Sequence, residues 1–160
     1  MQGNQGHTQV AERDESVWVY LAANQRALAG SREAFVDGLA DVCEGFGFTV
    51  FHGGDDRSEA SDTWLEALRY ADICIIELGA ASAVAGAELA MACSSGRPLV
   101  VLRRCEEESP AALRAMLAEH SGAREVAFDD FAECSEKLHA LLGDPAWQHL
   151  VRHATVVEDL

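Results

Sequence analysis

ADICIIELGAASAVAGAELAMACSSGRPLVVL, residues 71–102, decides how this chain folds. Ile73 to Ile76 is an apolar run, a loop of small residues follows, and then a helical stretch carries one acid, Glu88. After Gly96, Arg97 and Pro98 comes a second apolar run, Leu99 to Leu102. The order describes a strand, a tight crossing loop, a helix and a parallel strand. An ionisable side chain near the start of a helix that opens at the carboxyl end of such a strand sits where open α/β sheets bind ligands. Glu88 is therefore the residue whose purpose matters most.

Working outward, Val17 to Ala22 is β-branched and aromatic without a polar break, as suits a strand buried on both faces of a parallel sheet. A helix follows, with Ser31 as N-cap and Phe35, Leu39, Val42 and Phe46 at helical spacing before Gly45 and Gly47. Phe48 to Phe51 reads as a second strand running into His52, Gly53 and Gly54. A second helix covers residues 61–70, with Leu65 and Leu68 inward. Strand three is Asp72 to Leu78, helix three spans residues 83–95, and strand four is Leu99 to Arg103. Ser109-Pro110 opens helix four, with the serine capping and the proline at the first helical position. A strand from Glu125 to Phe128 and a helix over residues 130–142 complete the pattern. Five β-α repeats predict an α/β fold: a three-layer, doubly wound, five-stranded parallel sheet in the order 2-1-3-4-5. Residues 1–15 are polar and too poor in apolar side chains to offset the entropy of ordering, and read as a mobile tail before a single α/β domain over 16–143. Residues 144–160 are a C-terminal extension that fits a further short helix, a subunit contact or a loose tail. Trp147, Leu150, Val151, Val156 and Val157 in it are apolar enough to favour burial against something.

With 160 residues and 49% hydrophobic letters, the chain is long enough for one core. Its 12 basic and 27 acidic residues give a net charge of −15, which repels phosphate backbones and anionic membrane surfaces. Nucleic acid and membrane are not expected partners, whereas a small anion held by a local Arg and backbone N–H groups is compatible with the charge. The five cysteines lack CxxC spacing and lie largely in apolar stretches, as structural thiols of a reducing cytoplasm would. No metal site is expected. No Walker loop, GxSxG elbow or HExxH is present, and AANQRALAG after the first strand contains no GxGxxG, which argues against a dinucleotide-binding oxidoreductase.

VYLA at the first strand, TVFH at the second, a helix ending in YADICIIEL, and then GAELAMACSSGRPLVVL together resemble the nucleoside 2-deoxyribosyltransferase-like family. The layout is similar to that of its hydrolase branch, the nucleoside 5'-monophosphate N-glycosidases, over residues 17–142. The resemblance implies a Rossmann-like or flavodoxin-like sheet, a homodimer, no cofactor, and a glutamate that attacks the anomeric carbon of the sugar. Glu88 occupies that glutamate's position. It further implies that Tyr20 orients the nucleophile and that His52 matches a histidine found after the second strand. Asn24 and Arg26 would gather a 5'-phosphate in the first loop, and Ser82 and the Gly86 backbone would cradle it at the start of helix three. An ionised carboxylate on the far face of the sugar can stabilise or trap the oxocarbenium-like state of N-glycoside cleavage, which gives such a glutamate its chemistry.

The sequence departs from the family pattern twice. The family's base-binding aspartate stands eight positions before the Asp of "AD", and counting back from Asp72 (72 − 8 = 64) reaches Trp64. Asp62 and Glu66 flank that slot, but two residues are about 200° apart around a helix. Glu66, matching a second acid in some members, is the better substitute, and Trp64 is either core or a surface for stacking on a base. A serine that reaches the neighbouring subunit's phosphate is matched only by Ser109, slightly early. The expected activity is hydrolysis of the base–sugar bond of a nucleoside 5'-monophosphate or nucleoside. Deoxyribosyl transfer, or a non-catalytic nucleotide-binding module, is the alternative. The plain reading of Glu88 as a solvent-facing helical acid fits poorly with its neighbours Ala87, Leu89, Ala90, Met91 and Ala92. Tyr20 as a core tyrosine and His52 as a turn residue are the plain readings there.

Overall fold

The computed structural model describes residues 16–23, 32–53, 63–78, 83–106 and 108–156. In chain order these form β1 (Trp18–Ala22), α1 (Arg32–Gly45), β2 (Thr49–Gly53), α2 (Thr63–Tyr70), β3 (Ile73–Glu77), α3 (Ala83–Ser95), β4 (Leu99–Arg104), α4 (Ala111–Glu119), β5 (Ala123–Phe128), α5 (Phe131–Leu142) and α6 (Pro145–Val156). All strand pairs are parallel and the order is β2-β1-β3-β4-β5. The expected doubly wound α/β sheet is the fold.

Side-chain alternation along the strands splits the interior in two. Val19, Leu21, Ile73, Ile75, Val100, Leu102 and Phe128 face α1, α5 and α6 and pack with Phe35, Leu39, Leu138 and Trp147. Tyr20, Ala22, Cys74, Ile76, Leu99 and Val101 face the other way, against Leu68 of α2, Leu89 and Ala92 of α3 and Leu113 of α4. The unbroken apolar letters of β1, β3 and β4 follow from this, because each is covered on both faces. α1 ends where Gly47 takes φ +79° and its N–H donates to the Glu44 carbonyl at 2.8 Å, a left-handed stop that glycine adopts without a steric penalty. At the amino ends of the strands Asp72 Oδ2 accepts the Trp18 N–H at 2.9 Å, while the Asp72 N–H donates to the Trp18 carbonyl at 2.8 Å. The Arg97 guanidinium donates to the Ala71 carbonyl beside them.

Four local expectations change. β2 runs on through His52 and Gly53, because Leu21 and Ala22 of β1 supply partners for both. β5 begins two residues earlier than its apolar letters, at Ala123, opposite Leu99. Ser109 does not cap α4: Pro110 occupies the N-cap position without a side-chain cap, and the Ser109 Oγ is buried with no partner among the described residues. Within 144–160, residues 145–156 form α6, and Trp147 and Val151 are buried in the same cluster as α1 and α5. Their burial within the chain removes these two side chains from the argument for a subunit contact. The expected mobile tail, residues 1–15, lies outside the described residues, as does Val157.

Candidate functional site

The order 2-1-3-4-5 puts the topological switch between β1 and β3: α1 leaves β1 across one face and α2 returns across the other, the arrangement at whose carboxyl ends open α/β sheets bind ligands. Tyr20 is in the middle of β1 and Glu88 in the second turn of α3, the helix that follows β3. They meet in the layer between the sheet and α3. The Tyr20 hydroxyl donates to Glu88 Oε1 at 3.0 Å, and the two residues are 0% and 2% exposed. Alternation explains the tyrosine: Val19 and Leu21 turn to α1, so Tyr20 turns to α3. Helical spacing explains the acid, because Leu89 and Ala92 on the buried side of α3 bring Glu88 inward with them. Transferring a carboxylate from water to such a place is costly unless polar groups receive it, and the phenol is one such group.

His52 is not brought to this pair. It is registered with Leu21, which places its side chain on the α1 side of the sheet with Val50, and it is exposed. Glu66 is exposed on α2, and Trp64 is the second residue of that helix, its side chain lying outside the described residues. Gly86 is exposed in the first turn of α3, with open space where a Cβ would stand. Ser109 lies in the loop between β4 and α4. Asn24, Arg26 and Ser82 lie outside the described residues.

Two features escaped the sequence. Glu77, the last residue of β3, is buried at 1% exposure on the face of Ile73 and Ile75; an acid closing an apolar strand at the switch point was its only signal. Gly53 lies against the Tyr20 ring, a contact between β2 and β1 that neighbouring letters cannot reveal. The three buried thiols offer no competing nucleophile: burial, with Glu44 adding to it, pushes Cys43 up to about 12. Burial likewise takes Cys74 and Cys134 to about 12, leaving protonated thiols that react poorly. Among the described residues no group of three His, Cys, Asp or Glu is placed to hold a metal, and no helix is long and apolar enough to cross a membrane. An open groove of about 550 Å³ between the distal ends of α3 and α4, beside Cys93, Met116 and His120, is at the amino ends of the strands, away from the switch point.

No family model and no curated protein matches the sequence. Solved structures do. The CMP N-glycosidase BcmB of Clostridium botulinum is similar over 76% of this chain and 97% of its own, with a TM-score of 0.61 and 19% identity. A flavodoxin-like domain from Synechococcus sp. is similar over 86% of this chain and 99% of its own, with a TM-score of 0.54 and 14% identity. A 2-deoxyribosyltransferase from Bacillus psychrosaccharolyticus covers 76% of this chain and 96% of its own, at TM-score 0.49 and 17% identity. What the first two share with the chain is the fold. Structures of the flavodoxin-like architecture host unrelated chemistries, so function has to be argued from the site.

Proposed function

We propose that the chain is an N-glycoside hydrolase that cleaves the base–sugar bond of a nucleoside 5'-monophosphate or nucleoside, with Glu88 as nucleophile. The observation that carries the reading is the 3.0 Å hydrogen bond from Tyr20 to Glu88 inside the switch-point layer. A donor hydroxyl fixes one carboxylate oxygen and the plane of the group, which orients a nucleophile for attack. In the first step Glu88 bonds to C1' as the C–N bond breaks, its electron pair leaving with the base nitrogen, which takes up a proton from solvent. In the second, water adds its oxygen to C1' and gives up a proton to solvent as the bond from C1' to Glu88 breaks, releasing the sugar and returning the carboxylate. No resident metal or organic cofactor enters either step.

Substrate binding follows the resemblance. Asn24, Arg26, Ser82 and the Gly86 end of α3 would receive a 5'-phosphate, a helix N-terminus being suited to an anion. Trp64 or Glu66 would address the base, and Ser109 and a homodimer belong to the same proposal. The CMP N-glycosidase among the similar folds acts on a nucleotide of this class, which accords with the reading at the level of substrate type. The test is a panel of ribo- and deoxyribonucleotides and nucleosides, assayed for free base. Base release abolished by Glu88→Ala is the expected result. Release unaffected by that substitution, or binding by calorimetry with no turnover of any substrate, overturns it. Exchange with an added second base would assign transfer in place of hydrolysis.

A further inference from the structure

Gly53 closes β2 and pairs with Ala22. A side chain there would project onto the face that carries Tyr20, at the position diagonal to it across the strand pair. The backbone does not ask for glycine: among the described residues only Gly47 and Gly96 have positive φ. Space asks for it. A Cβ on Gly53 would stand 2.2 Å from the Tyr20 Oη, 2.4 Å from its Cζ and 2.9 Å from its Cε1, closer than packed atoms tolerate. Tyr20 is fully buried and its hydroxyl is engaged with Glu88. A ring movement that relieved the clash would take the phenol off its line to the carboxylate.

We propose that Gly53 is a positioning residue, the bare stretch of β2 against which the Tyr20 hydroxyl lies so that it reaches Glu88 Oε1. The catalytic consequence rests on the reading of Glu88 as nucleophile. The geometric part stands apart from it and has its own readout. The chain has two tyrosines, so a Tyr70→Phe background leaves Tyr20 as the single phenol, and its resonance Raman doublet reports whether the hydroxyl donates a hydrogen bond.

In that background Gly53→Ala is expected to shift the doublet toward a weaker donor while circular dichroism stays native. It is also expected to lower kcat for base release about 100-fold, the size of effect that a misplacement near 1 Å can bring. Combined with Tyr20→Phe, which already lacks the hydroxyl, the same substitution should cause no further loss of kcat. An unchanged doublet, or an equal loss of kcat with and without the hydroxyl, overturns the proposal. Should Gly53→Ala fail to fold, it is paired with Tyr20→Val, which removes all three clashing atoms. Stability equal to that of Tyr20→Val alone supports the proposal; persistent unfolding assigns the glycine to the backbone and overturns it. A wild-type protein that releases no base sinks the hydrolase reading, and the doublet still decides the role of Gly53.

Discussion

Two glutamates are buried on opposite faces of the sheet, and they come from different kinds of element. Glu77 ends β3 on the face of Ile73 and Ile75, where after burial its charge is the next largest influence holding the Cys134 thiol up. Glu88 enters the opposite layer from a helix, and a phenol 68 positions away in the sequence donates to it. At Glu88 a donor from another element fixes where one oxygen points, which is what the proposed nucleophile requires.

The contrast is broken or sharpened by substitution, starting with the carboxylates themselves. Glu88→Gln is expected to lower base release by at least about 10³-fold, as loss of a nucleophile does. Glu77→Gln should leave the rate per folded molecule unchanged and register only in thermal unfolding; equal kinetic losses would erase the distinction. Tyr20→Phe should lower kcat by about 10²-fold with little change in KM, if the hydroxyl orients rather than binds. On the apolar face, Leu138→Ala is expected to cost about 2–5 kcal/mol in denaturant unfolding and leave the rate per folded molecule intact, since Leu138 packs away from Tyr20 and Glu88.

A gentler effect comes from pH. Thiols that ionise at 9.0 when unfolded and at about 12 when folded keep protons that the unfolded chain releases. Stability should therefore fall as pH rises from about 9 toward about 12. Cys74→Ala should flatten that fall in the denaturation midpoint; an unchanged slope would deny the shift. The smallest change is expected from His52→Ala, below the roughly 10²–10⁴-fold of a lost general acid or base. A loss within that range would mean that the imidazole crosses the strand end to the Glu88 side.

The layered architecture was legible because β1, β3 and β4 are apolar enough to be strands on composition alone. Glu88 was legible for a related reason, standing as an acid among small apolar letters. The end of β2 was not: His52 and Gly53 join the ladder through partners in β1, and their own letters favour a turn. The face occupied by His52 was hidden too, because a period of two residues gives alternation but not its phase, which comes from register with Leu21. α6 carries Trp147, Leu150 and Val151 at helical spacing, yet only the neighbouring α1 and α5 determine that Trp147 and Val151 turn inward rather than toward another molecule.

Asp72 links these matters from the far end of the sheet. Its paired bonds with Trp18, at 2.9 and 2.8 Å, lock β1 to β3 at the edge where no reaction is proposed. Sliding β1 by a single step would exchange Tyr20 for Val19 or Leu21 on the α3 side, and the carboxylate of Glu88 would then look onto hydrocarbon. An aspartate far from Glu88 thereby indexes the strand that carries Tyr20, and wear at that clasp would misalign the phenol and the carboxylate without touching either.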